Sequence, residues 1–124
     1  MNNELQEFIQ KQKEVIVWGT GTPEREFLYA DDFVDACLFL MDRYEEEEMI
    51  NLGCGYDVTI KELAQTISKI VGFKGNIVFD SSKPDGTMQK LMDNSRITKL
   101  AWKAKVSLAD GIKQTYAWYS KELI

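Results

Sequence analysis

Hydrophobic residues follow two different spacings along this chain, and these spacings predict a succession of short strands and helices. Runs rich in β-branched and aromatic residues, bounded by glycine or proline, are typical of strands. The predicted strands are EVIVW (14–18), EFLYA (26–30), MINLG (49–53) and NIVFD (76–80), with KLMD (90–93) as an extended piece after the loop SSKPDGTMQK (81–90). Apolar residues three and four apart predict helices over 3–13, 33–41, 60–71, 96–102 and 108–123.

Polar residues at the starts of these helices predict how the helices are capped. In TIKE, Thr59 is the predicted N-cap and Glu62 is the residue that reaches back to it, which together form a capping box. Gly72 is the predicted C-terminal stop of the same helix. The other predicted N-terminal signals are Asp31 or Asp32, Ser95, and Ser107 with Asp110 three residues on.

The alternation of strands and helices places the chain in the α/β class, as a single domain over residues 1–124. The strands are too few and too short to build a complete doubly wound Rossmann sheet. The helix after the second strand is expected to turn one apolar face towards the core, made of Phe33, Ala36, Cys37, Leu40 and Met41.

Composition excludes several classes of function. The net charge of −5 argues against a nucleic-acid-binding protein, because phosphate backbones reward clustered Lys and Arg. No apolar run approaches the roughly 20 residues of a membrane span, and the polar start MNNELQEFIQKQKEV does not read as a signal peptide. Cys37 and Cys54 have neither metal-binding nor disulfide spacing, so we expect buried or half-buried free thiols in a reducing, cytoplasmic compartment.

The motifs of cofactor, metal and nucleophile sites are missing from the sequence. GTGTP (19–23) and GCGYD (53–57) contain G-x-G but lack the third glycine and the helix that a dinucleotide site requires. Histidine is absent, and there is no nucleophile elbow or P-loop. Asp31 and Asp32 are expected to charge a helix N-terminus rather than form a catalytic dyad. We therefore predict no catalytic, cofactor-binding or metal-binding residue in this chain.

The stretch WGTGTPEREF (18–27) sets an aromatic ring and an arginine on either side of a tight turn. Trp18 has two interpretations, as a core or hairpin residue or as a stacking platform for a ligand. Arg25 also has two interpretations, as one partner of an ordinary salt bridge or as a group that binds an anionic ligand. Lys83, Asp85 and Lys90 lie in or beside the long Gly/Pro loop. A guanidinium with one or two ammonium groups suits a diphosphate.

Three segments of the chain resemble GDP-L-fucose synthases, of the extended short-chain dehydrogenase/reductase superfamily. The segments are VIVWGTGTPEREFLYADDFVDACLFLM (15–41), INLGCGYDVTIKELAQTISKIVGFKGNIVFD (50–80) and SKPDGTMQKLMDNSRI (82–97). The resemblance extends from about residue 15 to residue 119 and concerns the C-terminal part of that family. It implies a small substrate-binding lobe and not the cofactor-binding half of the enzyme.

The resemblance also implies which residues bind substrate. The family's nucleotide-sugar contacts fall on Trp18, Arg25, Asp85 and Lys90, with Arg25 and Lys90 suited to the diphosphate charge and Asp85 to sugar hydroxyls. WGTGTPEREF is then a ligand clamp built on a hairpin. The sequence departs from the family pattern GTPRK at Met88 and Gln89, and carries Ala101 where the family has glycine.

The resemblance further implies that catalysis belongs to a part of the enzyme outside this chain. The family's NADP-binding Rossmann half, with its serine and Tyr-x-x-x-Lys pair, is absent, so this chain is not expected to catalyse alone. The whole enzyme would use NADP(H) to convert GDP-4-keto-6-deoxy-mannose to GDP-L-fucose. Such enzymes are homodimers in the cytoplasm, whereas we expect this lobe to be monomeric or weakly associated. Two alternatives remain open: a lobe of another nucleotide-sugar epimerase or dehydratase, and a stand-alone binding module.

Overall fold

The computed structural model of the protein describes residues 3–122 and shows short strands alternating with helices. None of the helices in this range is long and apolar enough to cross a membrane. The helices are α1 (Asn3–Lys11), α2 (Ala30–Arg43), α3 (Ile60–Val71), α4 (Ser95–Lys99) and α5 (Leu108–Glu122). The strands are β1 (Glu14–Trp18), β2 (Glu24–Arg25), β3 (Val58–Thr59), β4 (Asn76–Asp80) and β5 (Gln89–Lys90).

The strands form two small sheets. β1 and β4 pair in parallel, with Val15 opposite Ile77 and Trp18 opposite Asp80. In the second sheet β2 lies between β3, which is antiparallel to it, and β5, which is parallel to it. The predicted α/β class is confirmed, and residues 3–122 contain no complete Rossmann sheet. The strands predicted at 14–18 and 76–80 are also confirmed.

The predicted strand over residues 26–30 is wrong, and so is the hairpin. Strand β2 covers residues 24 and 25 only, and the following residues lead into α2 without regular structure. β1 and β2 belong to different sheets, so the turn between them joins two sheets and does not close a hairpin. The extended piece predicted at 90–93 has the wrong bounds. Strand β5 covers residues 89 and 90 only, because pairing with β2 stops at Lys90.

The predicted strand over residues 49–53 is also absent. Side chains from a distant segment take the place of a neighbouring strand as hydrogen-bond partners of its backbone. Arg96 donates to the carbonyl oxygen of Met49 at 2.8 Å, and Asn94 donates to that of Gly53 at 3.3 Å. Its strand-like composition therefore does not produce a strand, because a strand requires a neighbouring strand as partner for its backbone.

The helix-start predictions succeed where the cap is local. Thr59 and Glu62 form the predicted capping box, and Gly72 ends α3 with a positive φ of 74°. Ser107 accepts a hydrogen bond from the backbone of Asp110 at 3.2 Å and donates to its carboxylate at 2.8 Å. The prediction is confirmed for both helices.

Two predicted caps are wrong. The N-cap of α2 is Tyr29, and the N-cap of α4 is Asn94. The carboxylate of Asp32 is turned inward to residues 105 and 106, so it cannot cap its own helix. Ser95 is already helical, and its N–H donates to the carboxylate of Asp93 at 3.0 Å.

The core lies between α2, α4 and the segment that follows α4. Ala36 and Ile97 are fully buried and Trp102 is 4% exposed. Flanking apolar residues complete the cluster: Leu28, Phe39, Leu40, Ile50, Leu52 and Ala104. The predicted inner face of α2 is correct at Ala36 and Leu40 but wrong at two other positions, since Phe33 is 49% and Met41 79% exposed. Rotation of the helix brings Asp32 and Phe39 inward instead.

Two aspartates of α2 bind the chain that returns from α4. Asp32 is 3% exposed, and one of its oxygens accepts the backbone N–H groups of Lys105 and Val106 at 2.9 and 2.8 Å. Asp35 accepts the indole N–H of Trp102 at 2.9 Å and the ammonium of Lys105 at 3.2 Å. The Trp102 hydrogen bond, followed by that of Lys105, holds the pKa of Asp35 below its usual value. The core tryptophan is thereby oriented by a carboxylate.

We predict that Asp32→Ala lowers the free energy of unfolding by about 2–4 kcal/mol, because it leaves the part-buried backbone N–H groups of Lys105 and Val106 without their acceptor. Asp31→Ala is the matched control, since its exposed carboxylate acts through the helix dipole alone and contributes roughly 0.3–1 kcal/mol. Urea denaturation followed by circular dichroism measures both. Equal losses for the two variants would contradict the role of Asp32.

We predict that the contribution of the Glu62 cap disappears in acid. Hydrogen bonds from the backbone and hydroxyl of Thr59 lower the pKa of Glu62 from its ordinary 4.5. Because the folded-state pKa is depressed, the stabilisation is present above pH 4.5 and is lost as pH falls through the folded-state value. The urea midpoint of Glu62→Gln should lie below that of the wild type at pH 7, and the two should converge once the pH is below the folded-state pKa of Glu62, whereas Glu47→Gln should change little at either pH.

Candidate functional site

Two segments that are distant in sequence lie side by side and carry all four predicted ligand residues. Residues 18–25 run from the end of β1 through the turn to β2, and residues 83–90 run through the long loop to β5. The backbone N–H of Glu24 donates to the carbonyl oxygen of Met88 at 2.7 Å, next to the β2–β5 pairing. We call the face formed by residues 18–25 and 83–90 the Trp18–Lys90 surface.

Arg25 and Lys90 are neighbours on this surface. They are register partners on parallel strands, which places their Cα atoms about 4.8 Å apart and their side chains on the same face of the sheet. The Nη1 atom of Arg25 donates to the carbonyl oxygen of Glu24 at 2.6 Å, which fixes the half-buried guanidinium. Among the ion pairs within residues 3–122, none includes Arg25 or Lys90, so the salt-bridge interpretation of Arg25 is wrong for this range.

Trp18 lies at the other end of the surface and is 73% exposed. The interpretation of this residue as part of the core is therefore wrong. The ammonium nitrogen of Lys83 lies 5.4 Å from the centroid of the Trp18 ring, within the range of a cation–π contact. A backbone hydrogen bond of 3.1 Å from Lys83 to Asp80, the register partner of Trp18, fixes the start of the loop beneath the ring.

Asp85 joins the two segments through Thr20. Its Oδ1 accepts the backbone N–H of Thr20 at 2.7 Å, and its Oδ2 accepts the hydroxyl of the same residue at 2.8 Å. A carboxylate has about four acceptor sites, so capacity for a further donor remains on each oxygen. Asp85 thus has an observed structural role that sequence reasoning did not anticipate, beside its predicted role towards sugar hydroxyls.

Thr20 and Glu26 are the residues of this region that sequence reasoning missed. Thr20 carries no sequence signal, because its partner Asp85 is 65 residues away. The Glu26 carboxylate accepts backbone N–H groups from two other loops, those of Gly55 at 2.8 Å and Met92 at 3.0 Å. The sequence does contain a signal for Glu26, because it is an acidic residue beside the apolar pair of REFL (25–28). A carboxylate that is partly buried in such surroundings needs hydrogen-bond partners.

The cysteines and the acidic groups offer no obvious reactive centre among the described residues. Both Cys37 and Cys54 are free and half-buried. Burial raises the pKa of the Cys54 thiol, and the nearby charge of Glu26 raises it further, so the unreactive protonated form is favoured. In residues 3–122, no cluster of three or more Cys, Asp or Glu residues is arranged to hold a metal ion.

An apolar cavity of about 500 Å³ lies elsewhere, between α3, α5 and the segment leading into α2. Its walls carry no charged side chain, and Leu63, Ile67, Ile112 and Tyr116 are typical of them. None of the four predicted ligand residues lines this cavity. A charged nucleotide has no partner there, so the Trp18–Lys90 surface is the candidate site.

Gly19→Ala should test how Asp85 holds the turn. A methyl group at Gly19, where φ is 91°, would overlap the Oδ1 atom of Asp85, whereas one at Gly86, where φ is 73°, meets nothing within 4 Å. Gly86→Ala should therefore cost only the backbone strain of about 1–2 kcal/mol, and Gly19→Ala at least about 1 kcal/mol more. Urea denaturation of both variants measures the difference, and equal losses would show that Asp85 does not constrain the turn.

The comparisons with known proteins agree with the fold. The profile of the NAD dependent epimerase/dehydratase family matches residues 3–53. GDP-mannoheptose C4 reductase from Campylobacter jejuni, solved with NADP bound, has a TM-score of 0.80 and 42% identity, and the match covers 88% of this chain and 35% of that one. A GDP-L-fucose synthetase from Naegleria fowleri bound to NADP has a TM-score of 0.86 and 32% identity, over 96% of this chain and 39% of that one.

Sequence similarity identifies the same group of enzymes. GDP-L-fucose synthase 1 of Arabidopsis thaliana is 55% identical over 111 residues, which cover 90% of this chain and 34% of that protein. The chain therefore spans about a third of the length of the relatives that it matches. By sequence and by fold, this chain belongs with the GDP-L-fucose synthases and corresponds to the C-terminal portion of those proteins.

Proposed function

We propose that this chain is the substrate-binding portion of a GDP-L-fucose synthase and that the Trp18–Lys90 surface binds the GDP-sugar. The observation that supports this most is the placement of Arg25 beside Lys90 in register. Like charges opposite one another destabilise a sheet. Neither cation forms an ion pair within residues 3–122, so an anionic ligand would relieve their repulsion.

The chemistry of the surface matches the parts of a nucleotide-sugar. A guanidinium and an ammonium group side by side suit a diphosphate, for which Arg25 offers a planar pair of donors and Lys90 a point charge. The exposed ring of Trp18 offers an apolar face to the base or the sugar. The free acceptor capacity of Asp85 suits sugar hydroxyls. The chain as a whole is acidic, so the attraction is local to this surface.

The described residues do not fit NADP. Such a site requires a glycine-rich turn that opens a helix against the pyrophosphate. Gly19 and Gly21 lead into strand β2, and Gly53 and Gly55 lead into strand β3, so neither pair lies at a helix N-terminus. The NADP-bound relatives are proteins about two and a half times as long as this chain. We therefore assign to this chain the binding and orientation of the sugar nucleotide, and no part of the hydride transfer.

In the complete enzyme, catalysis would belong to the remainder of the protein. That remainder would be a Rossmann domain that holds NADP(H) and supplies the Tyr-x-x-x-Lys pair, which this sequence lacks. The enzyme would epimerise GDP-4-keto-6-deoxy-mannose at C3 and C5 and reduce its C4 ketone, giving GDP-L-fucose. The chain alone would then bind without turnover, as a monomer or a weak dimer in the cytoplasm.

A second candidate is the lobe of an enzyme that acts on a different sugar nucleotide. The 42% identity to a GDP-mannoheptose C4 reductase favours a GDP-sugar but leaves the sugar open. Binding of GDP therefore tests the part of the proposal that both candidates share. A preference for GDP over UDP would distinguish both of them from epimerases that act on UDP-sugars. A stand-alone binding module would bind the same ligand without a catalytic partner.

We predict saturable binding of GDP to the chain in calorimetry at low salt, tighter than that of UDP. Arg25→Ala should weaken it by about tenfold to a hundredfold, because it removes charge-assisted hydrogen bonds to the diphosphate. Lys90→Ala should weaken it by a smaller factor, and added salt should weaken binding to the wild type, because exposed charges are screened.

Lys69→Ala is the matched control, since it removes an exposed ammonium group from α3, away from this surface. Its affinity for GDP should equal that of the wild type. An equal effect of Lys69→Ala and Arg25→Ala would indicate non-specific attraction and contradict the site. Absence of GDP binding to the wild type would contradict the assignment of a binding role to the chain alone.

A further inference from the structure

Glu26 connects three segments that the rest of the site depends on. It follows Arg25 directly and is half-buried. One carboxylate oxygen accepts the backbone N–H of Gly55 at 2.8 Å, and the other accepts that of Met92 at 3.0 Å. These partners lie 29 and 66 residues away in sequence. A single side chain therefore fixes β2 to the loop before β3 and to the chain beyond β5.

The contact with Met92 bears directly on Lys90. Strand β5 is only two residues long, so its pairing with β2 alone restrains the position of Lys90 only weakly. Before Lys90, the carbonyl oxygen of Met88 accepts the backbone N–H of Glu24 at 2.7 Å. After Lys90, the N–H of Met92 donates to Glu26. Lys90 thus lies midway between two anchors, one made by the backbone of β2 and the other by the Glu26 carboxylate.

The carboxylate is also enclosed. A Cβ atom at Gly53 would overlap the Oε1 atom of Glu26, so the glycine at this position makes room for the carboxylate. No ion pair within residues 3–122 links Glu26 to a cation, Arg25 included. Its oxygens are directed to backbone donors, and its effect on a ligand is therefore indirect.

We propose that Glu26 is a positioning residue for nucleotide-sugar binding, because it holds Lys90 beside Arg25 through the backbone of Met92. This inference rests on the function proposed above. A cation that is held in place binds a diphosphate without first losing conformational freedom, whereas a mobile one pays for its ordering on binding. Glu26 does not touch the ligand itself.

The test is Glu26→Gln, measured by calorimetry with GDP. Glutamine has the same shape but one acceptor oxygen, so either Gly55 or Met92 loses its partner. Removal of a negative charge near two cations would by itself tighten binding of an anion. Weaker binding, by about tenfold, is therefore the result expected from mispositioning alone. Asp31→Asn is the matched control, because it removes the same charge from an exposed side chain outside the Trp18–Lys90 surface that has no hydrogen bond in the described residues; its affinity should be unchanged or higher.

A double-mutant cycle separates positioning of Lys90 from general loss of structure. In the Lys90→Ala background the effect of Glu26→Gln should fall to about twofold or less, because the group that it positions is gone. An equal factor in both backgrounds, or no loss in the first, overturns the inference. If Glu26→Gln does not fold, Met92→Pro removes the same hydrogen bond from the donor side and is expected to give the same pair of results.

The outcomes also distinguish this inference from the proposed function. Wild-type binding that Arg25→Ala weakens establishes the site, and the behaviour of Glu26→Gln then decides the positioning role alone. A wild-type chain that binds no GDP contradicts both at the first step, before any variant of Glu26 is measured. Circular dichroism of each variant confirms that the chain titrated is folded.

Discussion

Carboxylate side chains that accept backbone N–H groups from distant segments are the interaction on which this structure depends. Within residues 3–122 the sheets are only two and three strands wide, and three of the five strands are two residues long. Hydrogen bonds between strands therefore satisfy few of the backbone groups. Asp32, Glu26 and Asp85 each make such contacts across at least 29 residues of sequence. A charged acceptor strengthens the bond to an amide. These three residues therefore do part of the work that longer strands do elsewhere.

This use of acidic residues explains how an acidic chain presents a cationic surface. The net charge is −5, yet several carboxylates are directed to backbone or hydroxyl donors and not to Arg25 or Lys90. Their negative charge is partly neutralised by local dipoles. Arg25 and Lys90, at the ends of β2 and β5, are therefore without an ion pair in residues 3–122, and their proposed role is to bind an anionic ligand.

The apolar surfaces of the molecule are distributed differently. The core is small and lies around Ile97, while α2 exposes Phe33 and Met41 and a cavity opens between α3 and α5. These features lie apart from the Trp18–Lys90 surface. The chain spans about a third of the length of its relatives, and within the described residues the Trp18–Lys90 surface is the part for which we propose ligand binding.

The sequence alone determined what depends on neighbours within a few residues. The capping box of Thr59 and Glu62, the stop at Gly72 and the helix start at Ser107 are local, and all were predicted correctly. The strands at 14–18 and 76–80 and the resemblance to the family were likewise readable, since both rest on contiguous patterns. The choice of Trp18, Arg25, Asp85 and Lys90 came from that resemblance, and their role in binding stays a prediction.

Only the tertiary structure decided which distant segments meet. Residues 49–53 have no strand partner, and β1 and β2 lie in separate sheets. The carboxylate of Asp32 points inward and therefore does not cap α2. The tertiary structure also brought Arg25 beside Lys90 and gave Glu26 its two backbone partners. Hydrogen bonds across 29 to 74 residues depend on how the whole chain packs, and no local propensity encodes them.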